Sequence, residues 1–155
     1  MLTLLVAAAA TGSGLVTGLL FAFSNFVMRA LGELPNESGM IAMQRINEYI
    51  INPIFLIFFL GTPALCAGIT LGGLLQPDSG VSGLSILGAV AYLIGPFGIT
   101  VVRNVPLNNQ LASRPPAEAD SVWPLYQRQW QLWNHIRTAI GVVATGLLAA
   151  GLATS

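Results

Sequence analysis

The chain begins with an apolar run at Leu2–Met28, LTLLVAAAATGSGLVTGLLFAFSNFVM, which contains no charged side chain. An α-helix needs about 20 apolar residues to cross the hydrocarbon core of a bilayer. A cleavable signal peptide would have a basic start and a much shorter apolar region. We therefore expect this run to form a transmembrane helix that stays in the protein.

Three further apolar segments follow, at about Ile50–Leu75, Leu84–Val102 and Ile136–Leu152. Hydrophobic residues make up 54% of the 155-residue chain and charged residues only 8%, whereas about 25% are charged in a typical soluble domain. So few ionisable groups cannot cover the surface of a small water-soluble protein. The sequence predicts an all-α membrane protein, a single four-transmembrane-helix bundle over residues 1–155.

The connections between the predicted spans are unequal. Gln76–Gly80 is a short turn, which makes the second and third spans antiparallel neighbours. Residues 30–49 contain an amphipathic stretch from about Ser38, which predicts an interfacial helix before the second span. The third connection, residues 103–135, is long and polar: it opens with turn-forming residues at 104–109, and after Pro115-Pro116 a helix from about Glu118 leads into the last span.

The positive charges are confined to one side of this layout. All six arginines lie on or beside the first and third connections, and the chain has no lysine. The positive-inside rule places these connections in the cytoplasm, and we expect a bacterial plasma membrane. The net charge of zero argues against nucleic-acid binding, which needs a basic surface. The expected partners are membrane lipid and a small lipophilic molecule.

Two pairs of glycines have the spacing that lets membrane helices approach closely, Gly14 with Gly18 and Gly68 with Gly72. Packing within the bundle is the favoured interpretation, because four helices must pack against one another. A seam between copies of the chain, giving a homo-oligomer, is the alternative.

Polar and aromatic side chains converge on the predicted cytoplasmic end. The first group is Arg45, Glu48 and Asn52, spaced for one helix face; the second is Arg103, Asn104, Asn108 and Asn109; the third is Trp130, Trp133, Asn134, His135 and Arg137. Polar groups at the edge of hydrocarbon are costly unless they are paired, so these residues are functional candidates.

Each candidate also has a purely structural interpretation. The tryptophans can form an interfacial aromatic belt, and Arg137 can extend to lipid headgroups. The asparagines of the third connection can be turn residues that bond the local backbone. Arg45 and Glu48 can be a solvated ion pair that contributes little to stability.

Metal chemistry is poorly supported by the sequence. The chain has one histidine and one cysteine, Cys66, whereas a zinc or di-iron site needs several His, Cys or carboxylate ligands at set spacings. We therefore predict no metal site and no cofactor.

Two motifs carry a family resemblance. RNVPLNN at Arg103–Asn109 and WQLWNHIRT at Trp130–Thr138 resemble the paired signature of the anthrone oxygenase-like membrane family, and the four-span layout agrees over essentially the whole chain. The resemblance implies oxidation of polyketide anthrones to anthraquinones with O2, without metal, flavin or haem.

The chemistry of that reaction fits the candidate residues. Removing a proton beside the anthrone carbonyl gives an electron-rich enolate that can reduce O2, so the protein needs a base and donors for the oxyanion. Histidine ordinarily titrates near neutral pH, which makes His135 the candidate base. The candidate oxyanion donors are Arg137, Arg103 and Asn104, with Asn108 in support. Trp130 and Trp133 offer flat walls to an aromatic ring, and Asn109, Asn134, Arg45, Glu48 and Asn52 are further candidates for substrate binding.

A second hypothesis belongs to a different functional class. A small bundle with the same polar end can bind a lipid or quinone-like ligand without turnover, or serve as a small subunit of a larger membrane complex. A transporter is disfavoured, because charges are absent from the middle of all four predicted spans.

Overall fold

The computed structural model describes residues 2–76 and 80–154, which are almost entirely helical and contain no strand. Four helices are long and apolar enough to cross a membrane: α1 (Leu2–Gly32), α3 (Pro53–Leu75), α4 (Gly83–Ala112) and α5 (Pro116–Leu152). A shorter helix, α2 (Asn36–Tyr49), lies between the first two. The predicted all-α fold with four spans and an amphipathic helix before the second span is confirmed.

The four long helices form a ring in which α5 packs along α1 and α4, and α3 packs along the same two helices from the other side. The predicted pairing of the second and third spans is confirmed by the contact between α3 and α4. The turn predicted at Gln76–Gly80 falls on residues 77–79, which lie outside the described residues.

Helix α2 brings the first and third connections to the same end of the bundle, called here the α2 end. Its Met40 and Met43 are buried. The Gln44 Nε2 atom donates to the carbonyl oxygens of Leu111 at 2.8 Å and Arg114 at 3.1 Å. These bonds join α2 to the end of α4. The first and third connections lie at the same end because two spans, α3 and α4, separate them in the chain.

Two of the membrane helices contain π-helical segments. In α1, residues Phe23–Val27 are π-helical between two α-helical parts, and in α4 the π-helical segment is Leu93–Asn104. Pro96 lies inside the latter, and proline cannot donate the regular backbone hydrogen bond. Such widened turns are frequent at functional sites.

The turn-forming stretch predicted at residues 104–109, at the start of the third connection, is wrong. Helix α4 continues as an α-helix through Val105–Ala112, and α5 resumes with one turn of 3₁₀ helix at Pro116–Glu118 before Ala119–Leu152. Pro106 stands in the first turn of the new α-helical part, where a missing N–H is tolerated. The expected helix from about Glu118 is confirmed, but the irregular part shrinks to a few residues around Ser113.

The favoured interpretation of the two glycine pairs, close helix packing within the bundle, is also wrong. A Cβ atom added at Gly18, Gly68 or Gly72 would meet nothing within 4 Å, and one at Gly14 would only touch the Thr145 methyl group at 3.7 Å. The close approach occurs instead at Gly88, where a Cβ atom would lie 2.8 Å from the Leu148 backbone nitrogen.

The buried side chains form two clusters along the bundle. The small-residue core lies away from α2 and consists of Val6, Ala9, Val16, Leu20, Cys66, Ile69, Ala89, Tyr92, Ala144 and Leu148. The aromatic core lies at the α2 end and consists of Phe23, Met28, Leu31, Met40, Met43, Leu111, Ala119, Trp123, Tyr126 and Trp130. The candidate site lies between these two cores.

Candidate functional site

A layer of buried and half-buried polar side chains separates the small-residue core from the aromatic core. This polar layer consists of Ser24 on α1, Thr100 on α4, and Asn134, Thr138 and Arg137 on α5. Ser24 and Thr100 lie in the two π-helical segments. The non-α-helical turns of two helices thus face the same side of α5.

Arg137 is the centre of the layer and is only 4% exposed. Its Nε and Nη2 atoms donate to the Asn134 Oδ1 atom at 3.0 and 2.8 Å, and its Nη1 atom donates to the Thr100 Oγ1 atom at 2.7 Å. The guanidinium carbon lies 5.1 Å from the centroid of the Trp130 ring, a cation–π distance. Three neutral partners therefore hold this side chain.

Asn134 connects Arg137 to α1. The Asn134 side chain is fully buried, and its Nδ2 atom donates to the Leu20 carbonyl oxygen at 3.0 Å and to the Ser24 Oγ atom at 2.7 Å. Its Oδ1 atom accepts from Arg137 on the same helix. One amide therefore links Arg137 of α5 to α1. The Thr138 hydroxyl closes the layer, 3.1 Å from the Ser24 Oγ atom.

The buried guanidinium has no carboxylate partner among residues 2–76 and 80–154. Within the part of the chain that the structure describes, the ion pairs are Arg29–Glu33, Arg45–Glu48 and Arg114–Glu118, and all three are substantially exposed. A buried charge is ordinarily neutralised by an opposite charge. Arg137 therefore keeps an uncompensated positive potential inside the bundle.

The depth of Arg137 follows from the length of α5. The α-helical part of α5 has 34 residues and is about 51 Å long, at 1.5 Å per residue. It is longer than a hydrocarbon core of about 30 Å, so part of it must project from the membrane. Arg137 lies about 22 Å from the end of the helix at Leu152, within one membrane thickness of that end.

The side chains of the motif residues Asn104 and Asn108 bond to α5 and not to the local backbone of a turn. The Asn104 Nδ2 atom donates to the Trp130 carbonyl oxygen at 3.2 Å. The Asn108 Oδ1 atom accepts from the Trp130 Nε1 atom at 2.8 Å and from the Tyr126 hydroxyl at 2.9 Å. Both asparagines are thus brought to Trp130, whose ring lies against Arg137.

Some polar atoms around this network are buried without a partner among the described residues. They are the Asn104 Oδ1 and Trp123 Nε1 atoms. Unpaired buried polar atoms are rare in native proteins and often mark sites where another group binds. Asn47 belongs to α2, so this helix also brings a polar group into the α2 end of the bundle.

The other sequence candidates lie outside the buried network. His135 is exposed on α5, and Asn109 is exposed on α4. Arg103 is exposed, with its guanidinium carbon 4.7 Å from the centroid of the half-buried Trp133 ring. The pairing of Arg103 with Trp133 forms a second cation–π contact at the surface.

The predicted helix face of Arg45, Glu48 and Asn52 does not exist. Helix α2 ends at Tyr49, and Asn52 caps α3, where its Oδ1 atom accepts from the Phe55 backbone nitrogen at 3.1 Å. Arg45 and Glu48 form an exposed ion pair at 2.9 Å. The structural interpretation explains the geometry of these three residues.

Five members of the network were missed by the sequence analysis: Ser24, Asn47, Thr100, Tyr126 and Thr138. Tyr126 precedes Trp130 by one helical turn and Thr138 follows Asn134 by one turn, so the spacing of α5 contained a signal for both. Ser24, Asn47 and Thr100 carried none, because an isolated polar side chain in a helix has many ordinary explanations.

Two of the cavities between neighbouring helices are not lined by Arg137. One of about 150 Å³ lies between α4 and α5 and is lined partly by Leu107, Arg114 and Tyr126. Another of about 270 Å³ is an apolar groove between α1 and α5, beside Gly18 and Phe21. A drug-sized ligand typically occupies about 300–1,000 Å³.

No group of three or more His, Cys, Asp or Glu side chains is placed to hold a metal ion within residues 2–76 and 80–154. The described donors of the polar layer are hydroxyls, amides and a guanidinium. This set suits the binding of a carbonyl oxygen or an oxyanion.

The fold and the site define a four-helix integral membrane protein with a buried cationic layer between two cores. The sequence model of the Anthrone oxygenase family matches residues 55–147. The chain belongs to this family, and the resemblance carried by the two motifs is confirmed. No curated protein and no solved structure matches the chain.

The matched segment begins early in α3 and ends in α5. It includes both motifs and therefore Asn104, Asn108, Trp130, Asn134 and Arg137. Helices α1 and α2 lie outside it, although α1 supplies Ser24 to the polar layer.

Proposed function

We propose that the chain is a membrane oxygenase that oxidises a lipophilic, anthrone-like aromatic substrate with O2. Membership of the Anthrone oxygenase family supports the reaction class. The single observation that supports the site is the buried Arg137 guanidinium, which has no carboxylate partner among the described residues. A fixed positive group in a medium of low dielectric stabilises an oxyanion strongly.

Arg137 has donors to spare for such an oxyanion. A guanidinium has five N–H bonds, and three of them donate to Asn134 and Thr100. One N–H on each Nη atom is therefore without an acceptor in residues 2–76 and 80–154. In this proposal the enolate oxygen of the substrate accepts from one or both of these bonds.

The proposed reaction proceeds from an enolate held at Arg137. The substrate CH2 group loses a proton to a base, the enolate passes one electron to O2, and the resulting carbon radical and superoxide combine to form a C–O bond. Protonation gives a hydroperoxide. Loss of water from the hydroperoxide leaves the new carbonyl group, so one oxygen atom enters the product and the other leaves in water.

We propose His135 as the base because an imidazole is the most common general base in proteins. Its side chain lies outside the polar layer. Arg137 is buried and His135 is exposed, because residues two positions apart point to opposite sides of a helix. Proton removal at the surface of α5 would then precede the transfer of the enolate to Arg137. Charge stabilisation and proton transfer are separate in space in this scheme.

The test is oxygen uptake by the purified protein in lipid nanodiscs with an anthrone such as emodin anthrone, after subtraction of the uncatalysed rate. We expect Arg137→Met to lower kcat/KM by at least about a hundredfold, the loss typical of removing one oxyanion donor. Arg128→Met is the matched control, because Arg128 is an exposed arginine of the same helix. Equal rates in the two variants would overturn the proposal.

Isotope labelling tests the oxygenase reaction itself. With 18O2, we expect one labelled oxygen atom in the product ketone and the other in water. A product that takes its new oxygen from water would contradict the scheme, even if the rates depended on Arg137.

The second candidate function is a membrane bundle that binds a quinone-like ligand or lipid, or a partner subunit, without turnover. The observation that favours it is that Asn134 and Arg137 of α5 bond to α1 and to α4, so the polar layer can serve to fix the helices. Native mass spectrometry after mild extraction distinguishes the two. A subunit bound at fixed stoichiometry, together with no anthrone oxidation, would favour this function.

We propose that the first and third connections face the bacterial cytoplasm, in line with the positive-inside rule. The test labels single cysteines with a membrane-impermeant maleimide in intact cells, in a Cys66→Ala background. Thr154→Cys should react and Arg114→Cys should not, because the two exposed positions lie at opposite ends of the bundle. The reverse pattern would invert the topology.

We also propose that the free glycine face of α3 contacts a second copy of the chain. Gly68 and Gly72 have space for a Cβ atom, and the spacing suits close helix approach. Gly68→Leu should abolish dimer cross-linking in membranes, whereas Gly146→Leu, on an open face of α5, should not. Unchanged cross-linking in Gly68→Leu would contradict this contact.

A further inference from the structure

Two asparagines of α4 bind Trp130, one at its backbone and one at its indole ring. Asn104 donates from its Nδ2 atom to the Trp130 carbonyl oxygen at 3.2 Å. Asn108, one helical turn later, accepts from the Trp130 Nε1 atom at 2.8 Å. The first bond fixes the backbone of Trp130 and the second fixes the orientation of its indole ring.

Other aromatic rings confine the indole further. The Phe23 ring lies 5.3 Å from the Trp130 ring, centroid to centroid, in a tilted arrangement. The Tyr126 ring lies at 6.5 Å, and its hydroxyl donates to the same Asn108 oxygen at 2.9 Å. The side-chain oxygen of Asn108 therefore accepts from two aromatic side chains of α5 and orients both.

The ordered indole ring is one of the few groups that stabilise the charge of Arg137. The guanidinium carbon lies 5.1 Å from the ring centroid, and a cation–π contact is strongest when the charge is removed from water. A rotated indole would leave the guanidinium with Asn134 and Thr100 alone.

We propose that Asn104 and Asn108 are positioning residues, which act on Arg137 by holding the Trp130 ring against it. This inference rests on the proposed function, in which Arg137 binds the substrate oxyanion. It replaces the direct contact with substrate that the sequence suggested for both asparagines. It also explains the pairing of the two motifs, because the first motif fixes a ring of the second.

The first experiment observes the indole without any enzyme activity. The protein is labelled with 15N-tryptophan in detergent micelles, and the Trp130 Nε1–H resonance is assigned by its loss in Trp130→Phe. Asn108→Leu should move this proton resonance upfield, since the hydrogen bond is lost. Asn109→Leu, at the exposed neighbouring position, should leave it in place.

The second experiment measures catalysis. Asn108→Leu should lower kcat by at least about tenfold, the scale of a small misplacement of a catalytic group, with KM little changed because the oxyanion forms only during the reaction. Asn108→Gln should recover part of the rate, because its amide oxygen can accept the same bonds without adding a charge near Arg137. In a Trp130→Phe background, Asn108→Leu should cause no further loss.

The outcomes separate this inference from the proposed function. An unmoved Trp130 resonance in Asn108→Leu, or a full additional loss in the Trp130→Phe background, overturns the positioning role. A full kcat in Asn108→Leu, together with an inactive Arg137→Met, overturns it while the proposed function stands. A full rate in Arg137→Met overturns the proposed function, and the resonance then still decides whether Asn108 holds the ring.

Discussion

The two halves of the bundle are held together by opposite kinds of contact. Away from α2, the helices approach through small side chains and backbone: a Cβ atom at Gly88 would lie 2.9 Å from the Ala144 carbonyl oxygen, and the Ser13 hydroxyl lies 2.7 Å from the Thr145 hydroxyl. At the α2 end, the helices are joined by large rings and a network of polar side chains around Arg137.

The two kinds of contact differ in how they can accommodate a larger side chain. Close contact between backbones leaves no side chain that can rotate away, so the small-residue core is a rigid clamp. The α2 end contains the π-helical segment of α1 and lies next to the buried charge of Arg137, which is costly to bury without an opposite charge. The clamp holds one end of the helices, and the proposed site lies towards the other.

The largest loss of stability should come from a single methyl group in the clamp. Gly88→Ala places a Cβ atom 2.8 Å from the Leu148 backbone nitrogen, and two helix backbones must separate to admit it. We expect a loss of about 2–3 kcal/mol in the free energy of unfolding, typical of overpacking in a tight core. Urea unfolding in mixed micelles, followed by circular dichroism, measures it.

Gly146→Ala is the control for this prediction. A Cβ atom at Gly146 on α5 would meet nothing within 4 Å, and alanine favours a helix over glycine by up to about 1 kcal/mol. This variant should be as stable as the wild type or more stable. Equal losses in both variants would show that the clamp is not the feature that distinguishes the two halves.

In the other half, the amide should matter more to stability than the charge that it holds. Asn134→Leu removes an acceptor of two Arg137 bonds and the link to Ser24, and leaves a buried guanidinium poorly satisfied. We expect a loss of about 2 kcal/mol in the free energy of unfolding, because an unpaired buried charge is costly. The same unfolding assay measures it.

The double variant sharpens this prediction. In Asn134→Leu/Arg137→Met the unsatisfied charge is gone, so the protein should be more stable than Asn134→Leu alone. A double variant less stable than either single variant would mean that Asn134 and Arg137 stabilise the fold independently. The polar layer would then be structural in the same way as the small-residue core.

The four spans could be predicted because a bilayer demands long apolar runs, and the chain has four of them. The end of α4 could not, since Asn104, Pro106, Asn108 and Asn109 are residues of turns when they are considered one by one. In the helix, Asn104 and Asn108 bond to Trp130 and Tyr126 of α5. Those contacts are far away in sequence, and no local pattern contains them.

The central part of the site could also be predicted. Trp130, Asn134 and Arg137 are spaced for one face of a helix, and that face is buried. The same periodicity turns His135 outward, as the structure shows. Ser24 could not be found, because it bonds Asn134 across 110 positions. A lone serine in an apolar span has no feature that identifies its partner.

A smaller effect on stability should follow from His135→Ala. The side chain is exposed, so we expect the free energy of unfolding to change by less than about 0.5 kcal/mol. If His135 is the base, oxygen uptake should nevertheless fall by at least about a hundredfold. An unchanged rate would remove His135 from the mechanism and leave the function of Arg137 untouched.

The smallest effect should come from the exposed ion pair of α2. Arg45 and Glu48 lie 2.9 Å apart, but their side chains are 66% and 63% exposed, and such pairs contribute about 0–1 kcal/mol. We expect Glu48→Gln to leave both the unfolding free energy and the oxygen uptake within error of the wild type, at low and at high salt. A clear loss of activity in Glu48→Gln would extend the site from the buried layer to the surface of α2, and the boundary drawn here around Arg137 would be wrong.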